Sequence, residues 1–207
     1  YAHMYLYFRT AEAFDAYSGR AKRSLELKSE QVDRHFRKLI RQILPEGEGE
    51  ICINKRTSRI RGDHIQLIND LMGINLKRLN GQICKITGRN GHGGVLNPKF
   101  LSGEELEIAV SRLAATILSD GTIEPNGVIK YAEEELERVY RVVGNVKRFG
   151  DIHPSIKFVP KENHYLMHLP FVLGQLLIST GITTGDKTIR NPTLSRFILE
   201  GSDNVKR

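Results

Sequence analysis

The sequence predicts an α+β fold, and three observations carry that expectation. Apolar residues recur at helical spacing from Ser102 to Ser119, short strand signals flank the turn Pro125-Asn126-Gly127, and the stretches 151–159 and 164–168 alternate polar with apolar side chains. In chain order the second half reads helix, two strands, helix, two strands, helix. A basic, mainly helical region precedes it, so the expected division is 1–95 and 96–207.

The pivotal segment is the helix. Ser102-Gly103-Glu104-Glu105 has the pattern of a capping box, in which the Ser102 hydroxyl accepts from the Glu105 amide and the Glu105 carboxylate reaches back. Glu104, Glu105 and Glu107 then sit in the first turn, where carboxylates meet the positive end of the dipole. Leu106, Ala109, Val110, Leu113 and Ile117 form the buried stripe. Asp120-Gly121 closes the helix with a charge of the wrong sign, because unpaired terminal carbonyls favour cations. An isolated Asp-Gly usually only opens a turn. Here a divalent cation would compensate the charge, since hard cations take carboxylate and backbone carbonyl oxygens together, and Asp120 and Gly121 offer both.

Beyond the helix, the hairpin 122–131 points Ile123, Ile129 and Tyr131 toward the helices and Thr122, Glu124 and Lys130 outward. A helix over 133–143 buries Leu136, Val139, Tyr140 and Val143, with Gly144 near its end. Alternation over 151–159 sets Ser155 and Lys157 on the face opposite Ile156 and Phe158, and a one-residue slip would exchange them. Pro170 opens the last helix, Phe171 to Thr180. His164 and His168 stand four apart, which on a strand separates them by ~13 Å and excludes a shared metal.

The first half is less explicit. Residues 1–28 mix aromatic side chains with the basic cluster Arg20, Lys22 and Arg23, and suggest no chemistry. Ser29 to Leu44 reads as a helix stopped by Pro45. Residues 54–61 are strongly basic and include Arg59 and Arg61. Residues 63–83 have the outline of a helix-turn-helix, whose second helix would present Lys77, Arg78, Asn80 and Gln82 to a groove, although a packed helical hairpin reads the same way. The glycine-rich stretch Thr87 to Gly94 lacks the lysine of a nucleotide-binding P-loop and reads as a basic connector.

Composition narrows the partners. The chain of 207 residues carries a formal charge of +7, and residues 51–103 hold nine Lys and Arg against two Asp and Glu. That concentration is the footprint expected of phosphate contacts. No run approaches the ~18 apolar residues of a membrane span, and Tyr1 to Arg9 makes a poor signal peptide, so a soluble cytoplasmic protein is expected. Cys52 and Cys84 have no paired spacing and read as free thiols.

Leu113 to Gly121, LAATILSDG, resembles the signature helix of the LAGLIDADG homing endonucleases at its first Leu, first Ala, Ile, final Asp and final Gly, with Ala115 in place of the first Gly. The resemblance covers about residues 96–207, one αββαββα repeat. It implies that two such helices pack together through Ala114 and Ala115, that their terminal acids share Mg²⁺ over the scissile phosphates of double-stranded DNA, and that the sheet is a saddle in the major groove. Asp120 and Lys157 would be catalytic, with metal at Asp120 and Gly121. Thr122, Glu124, Lys130, Ser155 and Lys157 would contact DNA, with Lys77, Arg78, Arg59 and Arg61 adding contacts from the basic region. Family members often carry a lysine in a basic pocket near the junction of the last strand and the next helix. His168-Leu169-Pro170 holds that place here, leaving Lys157 or Lys161 to supply it.

Thr180-Gly181 stands at the acid-glycine place of a superficially similar nonapeptide, but threonine is a poor metal anchor. Ser195 to Arg207 resembles the lead-in to a second signature helix. A second acid is therefore expected from a homodimer mate or from chain beyond residue 207. Competing expectations are a catalytically inactive DNA-binding regulator on the same fold, an endonuclease domain of an intein, for which splicing residues would have to lie in flanking sequence, and an RNA-binding maturase.

Overall fold

The structure is a computed structural model, and it describes residues 4–28, 59–88 and 93–185. The expected helix 29–44, the basic residues 54–58, residues 89–92 of the glycine-rich stretch and the segment 186–207 lie outside the described residues. Two four-stranded antiparallel sheets and five helices make a mixed α+β architecture among the described residues.

The first sheet uses β1 (Met4–Phe8), β2 (Arg59–Arg61), β3 (Ile83–Gly88) and β4 (Val95–Leu96) in the order β2-β1-β3-β4. Helices α1 (Ala11–Leu27) and α2 (Gly62–Met72) join it in one core with Leu6, Phe8, Phe14, Tyr17, Ile60, Ile65 and Ile68. Thr10 caps α1 by accepting from the Ala13 amide at 3.1 Å. The region expected to be mainly helical also carries this sheet, because Met4, Leu6 and Phe8 alternate with Tyr5 and Tyr7 and build a central strand.

The helix-turn-helix is corrected as well. Helix α2 ends at Gly73 in the left-handed conformation (φ 63°), but the next element is a four-residue 3-10 turn, Leu76–Leu79. Leu79 is fully buried, Gly81 takes φ 77°, and the chain then enters β3 at Ile83. A positive φ breaks the helix, and the β-branched residues that follow favour a strand. No recognition helix remains.

The second sheet uses β5 (Gly121–Ile123), β6 (Ile129–Glu133), β7 (Ser155–Val159) and β8 (His164–Leu169) in the order β5-β6-β8-β7. Its inner residues Ile123, Ile129, Tyr131, Met167 and Leu169 share a core with α3 (Glu104–Asp120), α4 (Leu136–Val146) and α5 (Phe171–Ser179). The element order is the one expected.

Details differ. The Ser102 capping box does not form: α3 starts at Glu104 behind Gly103 (φ 57°), which leaves Ser102 outside the helix. Helix α4 starts at Leu136 because Glu133 ends β6 and its carboxylate accepts from the amides of Glu134 and Glu135, at 3.0 and 3.3 Å. The helix buries Val139, Val142 and Val146 and leaves Tyr140 59% exposed, so the inward face is rotated from the expected one. It also runs through Gly144 and does not end there. Phe158, expected inward, is 48% exposed on edge strand β7, with its ring 5.0 Å from that of Tyr165.

The boundary expected at 95/96 falls inside β4. Leu96 pairs with β3 at Lys85 and exchanges backbone hydrogen bonds with Asp151, while the Asn97 side chain accepts from Arg9 and donates to Asp151, both at 2.7 Å. No described helix is long and apolar enough to cross a membrane.

Candidate functional site

Helix α3 and β5 meet with no residue between them. The Gly121 amide still donates to the Ile117 carbonyl, while its own backbone is already extended (φ −118°, ψ 172°) and pairs with Tyr131. A Cβ at Gly121 would lie 2.9 Å from Ile117 Cδ1, 3.0 Å from Ile117 Cα and 3.1 Å from the Lys130 carbonyl. The glycine that follows the acid is therefore imposed by close packing, independently of any metal.

This junction fixes Asp120 at the carbonyl end of α3, exposed, and among the described residues its carboxylate makes no hydrogen bond or ion pair. Asp120 borders an open cleft of about 350 Å³ with Ala132, Glu133, Glu134, Glu135, Arg138 and His164. Glu133 is committed within it: it accepts from the Tyr131 hydroxyl at 3.1 Å and faces the Arg138 guanidinium at 3.8 Å, which also pairs with Glu135 at 3.2 Å. Among the described residues no three His, Cys, Asp or Glu side chains could together hold a metal ion. Within the cleft Asp120 and Glu134 keep carboxylates outside any ion pair among the described residues, and a metal shared at Asp120 would need a further acid.

Tyr131 reports on this acidic end. Burial, then the hydrogen bond and charge of Glu133 and the charge of Asp120, push its hydroxyl up to about 12. Because the folded state holds this proton more tightly, the stabilisation is full below pH ~10 and is lost as pH rises toward 12. Thermal melts of Tyr131→Phe between pH 9 and 11.5 are expected to show less alkaline destabilisation than the wild type, by up to about 2 kcal/mol. Equal alkaline losses in the two proteins would refute the coupling.

The other face of the second sheet is polar. Register aligns Thr122, Lys130, His168 and Ser155 in one row across all four strands, with Ala132, Leu166 and Lys157 in the neighbouring row. Glu124 lies at the turn and pairs with Lys130 at 2.5 Å, which holds its carboxyl below the usual range. The turn itself is closed by the Gly127 amide donating to the Glu124 carbonyl, with Asn126 Oδ1 accepting from the Val128 amide.

Register also separates residues expected to cooperate. Lys157 lies beyond β6 and β8 from the Asp120 end of β5, roughly 14 Å at ~4.8 Å per strand, so it cannot serve Asp120 of its own copy. Ala114, expected at a helix-helix contact, is fully buried in its own core, whereas Arg112, Ala115 and Ser119 line the exposed side of α3. Lys77 and Arg78 are exposed on the 3-10 turn, far from the role of a reading helix. Arg61 donates through Nε to Asp63 at 3.0 Å and pairs with it through a second nitrogen. Arg59 is placed by its backbone opposite Tyr7. Sequence singles out His168 only for its spacing from His164 and its place before Pro170, not for the outer row, and it gives Glu133 no role at the site. Alternation along 164–168 carries the signal for His168, while the partners of Glu133 lie on its own strand, at Tyr131, and on the next helix, at Arg138.

No protein-family model matches the chain, and no curated protein matches it. Among the described residues, fold and site define a mixed α+β protein with two antiparallel sheets, one of them bearing a polar outer face beside an exposed helix-terminal carboxylate.

Proposed function

We propose that the chain is a LAGLIDADG-like half-site of a homing-type endonuclease, a soluble intracellular protein that binds a specific double-stranded DNA sequence and hydrolyses its phosphodiester bonds. The observation that carries this reading is Asp120, an exposed acid with no hydrogen bond or ion pair among the described residues, at the carbonyl pole of a helix that feeds directly into the first strand of a sheet with a polar outer face. The strand order β5-β6-β8-β7, with all three helices on the opposite side, supports it.

Asp120 and the corresponding acid of a second copy or repeat would hold Mg²⁺, with the Gly121 carbonyl as a further oxygen donor. Bound there, the ion activates water and stabilises the leaving oxygen. The chain's own contribution is recognition. Thr122, Lys130, Glu124 and His168 face base edges, and Ser155 and Lys157 on the edge strand face the flanking backbone, where contacts position the duplex without reading it. Lys157 is assigned to DNA contact and not to catalysis, because of its distance from Asp120.

A second reading has one observation in its favour. Arg138 already places a cation in the acidic cleft beside Asp120, as befits a DNA-binding regulator on the same fold that does not cleave. Incubating the protein with a randomised duplex library in Mg²⁺, with a chelator control, separates the two. The endonuclease reading expects Mg²⁺-dependent double-strand cuts at an enriched sequence. Enrichment without cutting at any Mg²⁺ concentration establishes the regulator.

A further inference from the structure

The buried residues form two separate cores, one around Leu6 and Ile65 of the first sheet and its helices, the other around Leu113 and Leu173 of the second. Where they would meet lies a cavity of about 210 Å³, walled by Leu6, Ile65 and Ile86 on one side and by Phe149, Val172 and Leu173 on the other. Leu76, Phe100, Leu101 and Leu176 also line it and are only half-buried, so apolar surface stays uncovered where interiors are ordinarily close-packed. The exposed members of the described lining are all polar: Gln66, Lys99 and Ser179. They mark its mouth. Gln66 donates to the Asp70 carboxylate at 2.8 Å and the Ser179 hydroxyl to the Leu176 carbonyl at 2.6 Å. The Lys99 ammonium has no hydrogen bond or ion pair among the described residues. Its backbone is fixed, because the Lys99 amide donates to the Phe149 carbonyl at 3.0 Å and the next amide, of Phe100, to Asn80 Oδ1 at 2.8 Å.

We infer that this cavity binds a free medium-chain carboxylate, with its tail between the two cores and its headgroup at Lys99. The lining selects an amphiphile: apolar walls with a few polar groups at the mouth are the usual make-up of small-molecule sites, which favour the seams between packed units. Volume sets the tail. An apolar cavity of about 150 Å³ admits benzene, so one of about 210 Å³ takes roughly eight carbons. Charge sets the head, because Lys99 is the one ionisable side chain of the described lining and no Asp or Glu is among it. The inference stands apart from the endonuclease reading, because neither Asp120 nor the outer row of the second sheet borders the cavity.

The test is isothermal titration calorimetry of the full chain with hexanoate, octanoate and octan-1-ol, together with thermal melts. Octanoate is expected to bind saturably, one to one, and to raise the melting temperature. Hexanoate should bind about fifteen-fold more weakly, at about four-fold per methylene. Lys99→Gln should weaken octanoate about three-fold, as for an exposed ion pair, and leave octan-1-ol unchanged. Val172→Phe, which fills the cavity from α5, should abolish octanoate binding. If it melts too low to assay, Leu101→Phe fills the cavity from the 98–101 segment with the same expected loss, and the chain-length series needs no variant. The inference is overturned if octanoate shows no saturable binding below about 10 mM, or if hexanoate binds as tightly as octanoate. It is overturned equally if a folded Val172→Phe or Leu101→Phe variant binds octanoate as wild type does, or if Lys99→Gln leaves octanoate binding unchanged.

Discussion

Asp120→Asn is expected to reduce Mg²⁺-dependent cleavage by about a thousand-fold or more while leaving affinity for the same duplex within about three-fold. The magnitude follows from losing a charged ligand whose metal supplies several kcal/mol of transition-state stabilisation. Asparagine keeps the shape of aspartate, and among the described residues no hydrogen bond or ion pair of Asp120 would be broken. Stability should move the other way. Removing a negative charge from the carbonyl end of α3 relieves an unfavourable dipole interaction of about 0.3–1 kcal/mol. A more stable, DNA-binding, inactive variant is the signature of an acid kept for chemistry against its local cost. Cleavage at the wild-type rate, measured on the enriched duplex, would remove Asp120 from the reaction.

The part of this fold that could be read from sequence is the part whose partners are close in the chain. Leu113 and Ile117 announced the buried side of α3, and the Pro125-Asn126-Gly127 turn set the β5–β6 register that puts Thr122 opposite Lys130. The first sheet was hidden for the converse reason. Tyr5 pairs with Arg61 on one side and Thr87 on the other, and a five-residue strand with partners that distant leaves only a brief alternation. Helical spacing alone predicts a helix through Ile83, because spacing cannot register that Gly81 takes a positive φ. At the candidate site, the end of α3 that holds Asp120 was legible from a run of nine residues. The cleft beside it was not, since Glu133, Arg138 and His164 come from a strand end, a helix and another strand. Tyr140 shows a different limit: it fits the apolar period of α4 as well as Val139 does, and only packing against the sheet chose the valines.

The largest structural effect is expected from a glycine in α5. A Cβ on Gly174 would sit 1.8 Å from the Gly127 carbonyl oxygen and 2.9 Å from its carbon, so the obstacle is backbone and cannot rotate aside. Helix α5 lies directly on the β5–β6 turn, where Gly127 (φ 86°) is itself hemmed in by Phe171 and Gln175. Gly174→Ala must push the helix off the hairpin. Overpacking of this kind costs about 1–3 kcal/mol or more, which outweighs the ~1 kcal/mol that alanine gains over glycine in a helix interior. A fall in melting temperature of about 3–8 °C is expected for a chain of this size. Gly144→Ala is the matched control: that glycine is exposed within α4 with no atom within 4 Å of a new Cβ, so the propensity gain is unopposed and the protein should melt slightly higher. Displacing the hairpin also shifts Thr122 and Lys130 on the open face, so Gly174→Ala should weaken duplex binding at temperatures where the variant remains folded. If it melts at or above wild type, the direct seating of α5 on the hairpin is wrong, and with it the geometry assigned to the sheet's outer row.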